Sequence, residues 1–319
     1  MPSDAVLART PGAEVDPDDA AEHCYALTHR LSESDLRRRF AAFPVPSYRP
    51  TPAQTVFHAD SRRDKPDVTV LNCGRRSGKS VGCAAEEVDR QQRDMVDKLR
   101  GRGRWEGDPH PTWERGQGRS PEPFLHYLSV APTYPMLGPN KRAAQKMAGG
   151  LVSEGGIITS QTDQTWWYLG GIRRDWKSAE RPERVGVGEG VDGISIDEAA
   201  RVKPALWDDH AQPALADHGG WALIRSTPMG KASWFYRVWA LGDPEAANDI
   251  AESTGEDIAV DPHARCFHWT TMDNTAVPRL IEWAERMKRR MPLAMWRRNF
   301  AASWAAFVGQ CLEIGRAHV

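Results

Sequence analysis

The sequence is poor in cysteine and has no long apolar run, and these absences exclude several classes of protein. Its five cysteines are scattered, odd in number and never spaced as C-x-x-C, so they indicate neither a zinc site nor a disulfide framework. A reducing cytoplasm is the compartment that such usage favours. No apolar stretch approaches the roughly 18 residues of a membrane-spanning helix, and no signal peptide is visible. We therefore expect no membrane association and no secretion.

The chain also lacks a net charge of either sign. Its 42 basic and 43 acidic residues leave a formal net charge of −1, so a nucleic acid could be bound only through a local basic surface. Two candidates are the triplet at 37–39, which ends a predicted helix, and the arginines in and just before 101–123. Each also fits an ordinary solvated surface, which is the commoner situation. The 319 residues suit one large or two modest domains, and 40% hydrophobic residues suffice for a core.

The strongest motif is VTVLNCGRRSGKS at residues 68–80. A β-rich apolar run leads into a Gly- and Arg-rich loop, and a helix-compatible segment starts at Val81. Strand, loop ending in Gly-Lys-Ser, and helix form the context of a phosphate-binding P-loop, whose backbone N–H groups face an anion. Lys79 would supply a charge for the β- and γ-phosphates, and Ser80 would ligate Mg²⁺.

One position departs from the P-loop pattern G-x-x-x-x-G-K-S. The first glycine of the pattern falls on Cys73, and Gly74 comes one residue late. An incidental glycine-rich turn is therefore the alternative interpretation. Motifs elsewhere in the chain distinguish it from a nucleotide-binding P-loop.

Three further segments carry chemistry that suits nucleotide hydrolysis. A short apolar strand at 193–196 is followed by two carboxylates, Asp197 for the Mg²⁺ shell and Glu198 to orient and deprotonate a water molecule. The strand at 221–224 leads to Ser226-Thr227-Pro228, whose hydroxyls could sense the γ-phosphate, although an ordinary Ser/Thr turn is the simpler interpretation. The amide of Gln54 could pair with an adenine edge, but an exposed glutamine at a helix start is equally ordinary.

Strand and helix patterns alternate along the chain, and there are no internal repeats. This alternation predicts an α/β fold with a mainly parallel sheet and with nucleotide bound at the carboxyl edge of its strands. The predicted strands are 68–71, 124–131, 156–159, 165–169, 193–196, 221–224 and 266–269, and the predicted helices are 21–40, 81–100, 140–151, 279–290 and 293–300.

Taken in order, these motifs resemble the ATPase domain of the large terminase subunit of tailed bacteriophages. The resemblance runs from about Pro52 to Phe307, roughly four fifths of the chain. The residues that carry it are Gln54, GRRSGKS (74–80), APTY (131–134), SAERPERVGVG (178–188), ISIDEAA (194–200), STPMG (226–230), SWFYRVW (233–239) and TMDN (271–274).

The resemblance implies a RecA-like ASCE P-loop NTPase fold and a role for each matching residue. Glu198 would be the catalytic base, with Lys79 and Arg75 also catalytic, and Asp197 and Ser80 would hold Mg²⁺. ATP would bind at Gln54 and at the P-loop residues Gly74, Arg75, Arg76, Ser77, Gly78, Lys79 and Ser80. The coupling motif would be Ser226, Thr227 and Pro228.

The same resemblance implies the partners and the domain plan. The partners would be double-stranded viral DNA, the portal protein of the procapsid, the small terminase subunit and further copies of the chain, forming a ring of five when docked and monomeric in isolation. The location would be the host cytoplasm and, transiently, the portal vertex. We expect an N-terminal helical or extended segment at 1–50, the ATPase domain at 51–300 with an exposed insertion at 101–123, and the start of a linker to a nuclease domain at 301–319.

The last residues suggest an interruption of the reading frame. The heptapeptide at 313–319, EIGRAHV, resembles the translation of a sequencing adapter, so we hypothesise that the frame was cut near Leu312; a natural polar tail is the alternative. A two-metal nuclease needs a carboxylate cluster, and residues 301–319 contain only Glu313. We therefore expect this chain not to cleave DNA. A related nucleic-acid ATPase or helicase, and a degenerate nucleotide-dependent DNA-binding scaffold, are the alternative functions.

Overall fold

The computed structural model describes residues 48–99, 125–147, 157–160, 164–168, 172–186 and 190–304. The predicted helix at 21–40, the insertion at 101–123 and the tail at 313–319 lie outside these residues. The chain divides into two compact units. Among the described residues, the first unit comprises Tyr48, 84–194 and 209–220, and the second comprises 49–83, 195–208 and 221–304. Every predicted site residue belongs to the second unit.

Helices and strands alternate along most of the described chain. In chain order they are α1 (Pro52–Asp64), β1 (Val68–Cys73), α2 (Lys79–Leu99), β2 (Leu125–Ala131), α3 (Tyr134–Met147), β3 (Ile157–Ser160), β4 (Thr165–Tyr168), β5 (Ile172–Ser178), β6 (Gly193–Asp197), α4 (Gln212–Ala216), β7 (Trp221–Ser226), α5 (Trp234–Ala240), α6 (Pro244–Thr254), β8 (Ala264–Trp269), α7 (Pro278–Lys288) and α8 (Leu293–Ala301). None of the described helices combines the length and the apolar character that a membrane span requires.

In the second unit the strand order is β6-β7-β1-β8. Strand β1 pairs in parallel with both β7 and β8, so that Val68 lies beside Ala222 on one side and beside Ala264 on the other. Every residue of β7 is buried, as is every residue of β1 after its first. Burial on both faces is typical of parallel strands covered by helices. Strand β7 separates β1, which leads into the P-loop, from β6, which leads into the two carboxylates.

In the first unit the strand order is β3-β4-β5-β2. Strands β2 and β5 are parallel, whereas β3, β4 and β5 form an antiparallel meander. The predicted hairpin of β3 and β4 is thus confirmed, and so is the prediction of an α/β fold with a mainly parallel sheet.

Strand β5 was not predicted, because its sequence IRRDWKS is strongly charged. The structure buries its central Arg174, which donates from Nη2 to the carboxylate of Glu87 and from Nε to the hydroxyl of Ser129 at 2.8 Å. The guanidinium carbon also lies 4.2 Å from the ring centre of Trp176. Because Glu87 and Ser129 are distant from Arg174 in sequence, the pattern of the strand alone could not reveal these two contacts.

Several helix boundaries and four whole helices differ from the prediction. Helix α3 begins at Tyr134 instead of Asn140, so it includes two prolines that were expected to precede it. Pro135 lies in the first turn, where the missing N–H group would have no helical partner, and Pro139 removes only one hydrogen bond of the helix. Helix α2 begins at Lys79, two residues earlier than predicted. Helices α1, α4, α5 and α6 were not among the predicted helices. Six of the seven residues of α5 are buried, which removes the apolar-polar periodicity that would mark it.

Candidate active site

The P-loop is the five-residue connection between β1 and α2, residues 74–78. Two of its residues have left-handed backbone angles, Arg76 with φ 63° and Gly78 with φ 88°. The N–H of Gly74 donates to the carbonyl of Trp269 at 2.7 Å, and the N–H of Arg75 donates to that of Asn299 at 2.6 Å. The predicted sequence of strand, loop and helix is therefore present, and its first half is bonded to the ends of β8 and α8.

The late glycine of the motif has a steric explanation. A Cβ atom on Gly74 would lie 2.5 Å from the carbonyl oxygen of Phe300 and 2.9 Å from the amide nitrogen of Thr271, so only glycine fits there. Cys73, in contrast, is the last residue of β1 and is completely buried. Burial raises the pKa of its thiol to about 12, against the opposing charge of Lys79, so the thiol stays neutral. In this chain the glycine requirement has moved to position 74.

Side chains from outside the P-loop hold its carbonyl groups. Thr271 Oγ1 donates to the carbonyl of Arg75 at 2.6 Å, and Asn274 Nδ2 donates to that of Arg76 at 2.7 Å. Gln54 Nε2 does the same to the carbonyl of Gly78 at 3.1 Å. In a trans peptide the C=O and the next N–H point in opposite directions. The N–H groups of residues 76, 77 and 79 therefore point away from these anchors, and that of Ser77 donates to the carbonyl of Gly74 at 3.4 Å. The N–H groups of residues 76 and 79 thus have the orientation that a phosphate-binding loop requires.

Gln54 is buried, with 3% of its surface exposed. Its Oε1 accepts from the N–H of Thr51 at 2.9 Å, which forms the capping box of α1, while its Nε2 reaches the P-loop. This double contact gives Gln54 a positioning role that was not foreseen. The adenine contact stays a prediction.

The two carboxylates stand at the end of β6: Asp197 is its last residue and Glu198 follows it, so the strand ends one residue later than predicted. Glu198 contacts the P-loop lysine. Lys79 Nζ pairs with Glu198 Oε1, and the two side chains are only 12% and 19% exposed. Burial alone would lower the pKa of Lys79, but the charges of Glu198 and Asp197 outweigh it and raise that pKa above its usual value. Glu198 has a φ of 49°, an unfavourable backbone for a residue with a side chain, which costs of order 1–3 kcal/mol. Such strain is common where a side chain must be aimed at a reacting group.

Asp197 has a partner that the sequence analysis missed. Arg225, on β7, donates from Nε to Asp197 Oδ1 at 3.0 Å and from Nη1 to the hydroxyl of Ser195 at 2.7 Å. Its side chain is 2% exposed. Lys79 and Arg225 thus face Asp197 and Glu198, so the site contains two cations and two carboxylates. An arginine inside an otherwise apolar strand was the available signal.

The predicted coupling segment begins beside Glu198. Ser226 ends β7; its hydroxyl accepts from the N–H of Ala200 at 3.1 Å and donates to the carbonyl of Thr227 at 3.0 Å. The hydroxyl of Thr227 is buried and has no hydrogen-bond partner among the described residues. Pro228 follows and is also buried. The end of β7 is therefore bonded to the turn that follows the predicted catalytic base.

The remaining predicted residues are near the same loop. The side chains of Arg75 and Arg76 are exposed, Ser77 is buried and Ser80 is half-buried. Burial and the positive charges of Arg75 and Arg201 lower the pKa of Arg298, so Arg75 lies in a cluster of like charges. The catalytic role of Arg75 stays a prediction.

The donor set fits Mg²⁺. The hydroxyl of Ser80 and the carboxylate of Asp197 are hard oxygen donors, which Mg²⁺ prefers, and the ion usually takes its other ligands from water and phosphate. The described residues contain no group of three His, Cys, Asp or Glu side chains able to hold a metal alone.

A P-loop after β1, adjacent carboxylates at the end of β6, and strand β7 between β1 and β6 define the fold of an ASCE P-loop NTPase. Comparison with known proteins narrows this class. No family model matches the chain. The large terminase subunits of Thermus virus P23-45 and Thermus phage G20c are each 29% identical to it over 130 residues. The match covers 41% of this chain and 26% of each relative, so the chain spans about a quarter of the length of these proteins.

Solved structures of large terminases share the fold. The ATPase domain of Thermus phage P74-26 large terminase superposes with a TM-score of 0.58 at 21% identity, covering 81% of this chain and 95% of that one. The HK97 bacteriophage large terminase gives 0.52 at 16% identity, with 88% and 54% covered. The large terminase of another thermophilic bacteriophage, in complex with ADP, gives 0.51 at 14% identity, with 80% and 53% covered. The resemblance to large terminase subunits and the RecA-like ASCE fold are confirmed.

Proposed function

We propose that this chain is the ATP-hydrolysing part of a viral DNA-packaging motor, a terminase large subunit that drives double-stranded DNA into the procapsid. The observation that carries the proposal is the contact between Lys79 and Glu198 beside a P-loop whose carbonyl groups are held by the protein. The P-loop cation and the predicted base thus share one site.

The proposed mechanism starts from that ion pair. ATP phosphates bound by the P-loop N–H groups offer Lys79 a more highly charged partner than Glu198. Released from Lys79, the carboxylate of Glu198 orients a water molecule and takes its proton as the water oxygen attacks the γ-phosphorus. The bond from that phosphorus to the β,γ-bridging oxygen breaks in the same step, so that ADP leaves with the electron pair and phosphate is formed. Ser80 and Asp197 would hold Mg²⁺, which would neutralise part of the charge of the phosphates. Loss of the γ-phosphate would return Lys79 to Glu198.

Coupling to movement is proposed for Ser226, Thr227 and Pro228. The hydrogen bond from the N–H of Ala200 to Ser226 supports this role, because a displacement of Glu198 would be transmitted directly to the end of β7. Thr227 brings a hydroxyl whose hydrogen-bonding capacity is not used within the described residues. It could therefore bond to a phosphate or to a water molecule in one nucleotide state only.

DNA as partner is supported by a local basic surface on α7 and α8. Residues 278–301 contain seven basic and two acidic side chains, a net charge of +5, although the whole chain carries −1. Arg279 and Arg286 are exposed and lie seven residues apart on one face of α7, opposite the buried Ala284. Within the described part of the chain neither makes an ion pair. Such a surface can neutralise phosphates of a duplex.

The other partners follow from the same proposal. The chain would dock on the portal protein as part of a ring of five, with the small terminase subunit delivering DNA, and would be monomeric in isolation. Its place would be the host cytoplasm and, during packaging, the portal vertex.

The test is phosphate release by the purified chain, with and without procapsids that carry the portal. We expect weak hydrolysis alone and a clear increase with procapsids, since a motor site completed by a neighbour is incomplete in a monomer. Lys79→Ala should lose both nucleotide binding and hydrolysis. Nucleotide binding without hydrolysis under every condition would favour the scaffold alternative, and separation of DNA strands would favour a helicase.

A further inference from the structure

Arg225 is a buried charge in a strand that otherwise consists of buried apolar residues and one serine. Strand β7 reads WALIRS, and all six residues are buried. A guanidinium removed from water is unfavourable unless it is paired and its donors are satisfied. A buried arginine in this strand is therefore expected to have a hydrogen-bonded partner of opposite charge.

That partner is the predicted metal ligand. Arg225 contacts both Asp197 and Ser195, which are two residues apart on β6 and so project from the same face of the strand. A guanidinium presents its donors in a rigid plane. The two hydrogen bonds to β6 leave from different nitrogens of Arg225, so together they fix the plane of the guanidinium. The bond of 3.0 Å from Nε then fixes the position of Asp197 Oδ1.

A fixed carboxylate is what a small, geometrically demanding ion requires. Mg²⁺ tolerates little departure from octahedral geometry, so the orientation of its single protein carboxylate affects affinity. Groups that orient a metal ligand typically contribute ten- to a hundredfold in metal affinity or activity. The contribution of Arg225 would be directional, because its positive charge taken alone opposes a cation.

We propose that Arg225 is a positioning residue for Asp197 and, through it, determines how strongly Mg²⁺ supports nucleotide binding at this site. The inference rests on the proposed function in one respect, that the ligand is a nucleotide with Mg²⁺.

The experiment compares wild type with Arg225→Met in binding of a fluorescent ATP analogue, once with EDTA and once with Mg²⁺. The P-loop contacts are untouched, so affinity in EDTA should stay within about threefold. The gain in affinity on adding Mg²⁺ should fall by roughly ten- to a hundredfold. The Mg²⁺ concentration for half-maximal hydrolysis should rise accordingly.

Three variants separate positioning from folding. Arg174→Met is the matched control, because Arg174 is equally buried and also bonds a carboxylate and a serine, but in the first unit. It should leave the Mg²⁺ effect unchanged even if it destabilises the chain. Ser195→Ala removes one of the two bonds that orient Arg225 and should show a smaller loss of the same kind. Arg225→Lys keeps the positive charge but loses the planar set of donors. Compared with Arg225→Met, it should recover more of the folding stability than of the gain in affinity on adding Mg²⁺. This variant therefore tests the proposal if Arg225→Met does not fold.

Each possible result of these measurements either supports or overturns the proposed role of Arg225. An unchanged Mg²⁺ effect in a folded Arg225 variant overturns the proposal while leaving the proposed function intact. Tighter metal binding would show that Arg225 competes with the ion and would overturn it too, as would an equal loss in Arg174→Met. If the wild-type chain bound no nucleotide at all, the proposed function would fail and this inference with it.

Discussion

Replacement of Gly74 by alanine tests the steric argument for the shifted P-loop glycine. The added Cβ would meet the carbonyl oxygen of Phe300 at 2.5 Å and the amide nitrogen of Thr271 at 2.9 Å. Both are backbone atoms, so no side-chain rotation can relieve the contact. Either the P-loop or the segments packed on it must move by roughly 0.5–1 Å, and overpacking of this kind typically costs about 1–3 kcal/mol.

The strain would act directly on the phosphate-binding loop. Thr271 donates to the carbonyl of Arg75, and Asn299, next to Phe300, accepts from the N–H of Arg75. A displacement of either segment therefore loosens the P-loop itself. If all of the strain appeared as lost binding, nucleotide affinity would fall by about 5- to 150-fold, at 1.4 kcal/mol for each factor of ten.

The assay pairs denaturant unfolding with titration of a fluorescent ATP analogue. Gly138→Ala is the control, because Gly138 lies in α3, apart from the P-loop, and among residues other than its chain neighbours its added Cβ would meet the far end of the Arg142 side chain, at 3.3 Å. Gly138 precedes Pro139, and a Cβ on a helical residue before proline is unfavourable, so the control should also lose some stability but leave nucleotide binding unchanged. A Gly74→Ala protein as stable as wild type, with affinity within twofold, would refute the close approach of Phe300 to the P-loop.

Three further predictions concern hydrolysis, coupling and DNA. Glu198→Gln should keep ATP binding but slow phosphate release by about 10²–10⁴-fold, because an amide cannot take the proton of water; undiminished turnover would remove Glu198 from that role. Thr227→Val should fold and hydrolyse ATP yet package DNA poorly in a procapsid assay, whereas packaging that stays proportional to hydrolysis would contradict the coupling role. The double variant Arg279→Gln/Arg286→Gln should reduce the salt dependence of duplex binding by a slope of about two, and Arg237→Gln, which removes an exposed but paired arginine, should not; equal slopes in all three proteins would exclude this surface.

Much of this protein could be predicted from short stretches of sequence. A P-loop is built from consecutive residues, so the apolar run from Val68 and the GKS at 78–80 predicted strand, loop and helix together. The carboxylates at the end of β6 and the hydroxyls at the end of β7 were predicted in the same way, because each pair closely follows an apolar run. Predictions for Arg75 as catalytic and Gln54 as the adenine contact go beyond such local patterns, and they stay predictions.

Only the tertiary structure decided which distant residues complete the site. Thr271 and Asn274 hold carbonyl groups of the P-loop from 196 and 198 residues away, a separation at which no periodic pattern constrains the pairing. The sequence analysis missed the bond between Arg225 and Asp197 and the charged strand β5 for a related reason. A charged residue is expected to be solvent-exposed unless its buried partner is known. The sequence by itself thus determined the local scaffold of the loop and its two carboxylates. The fold decided how the loop and the carboxylates are held. Packing brings together groups that depend on one another chemically, although they lie far apart in the chain.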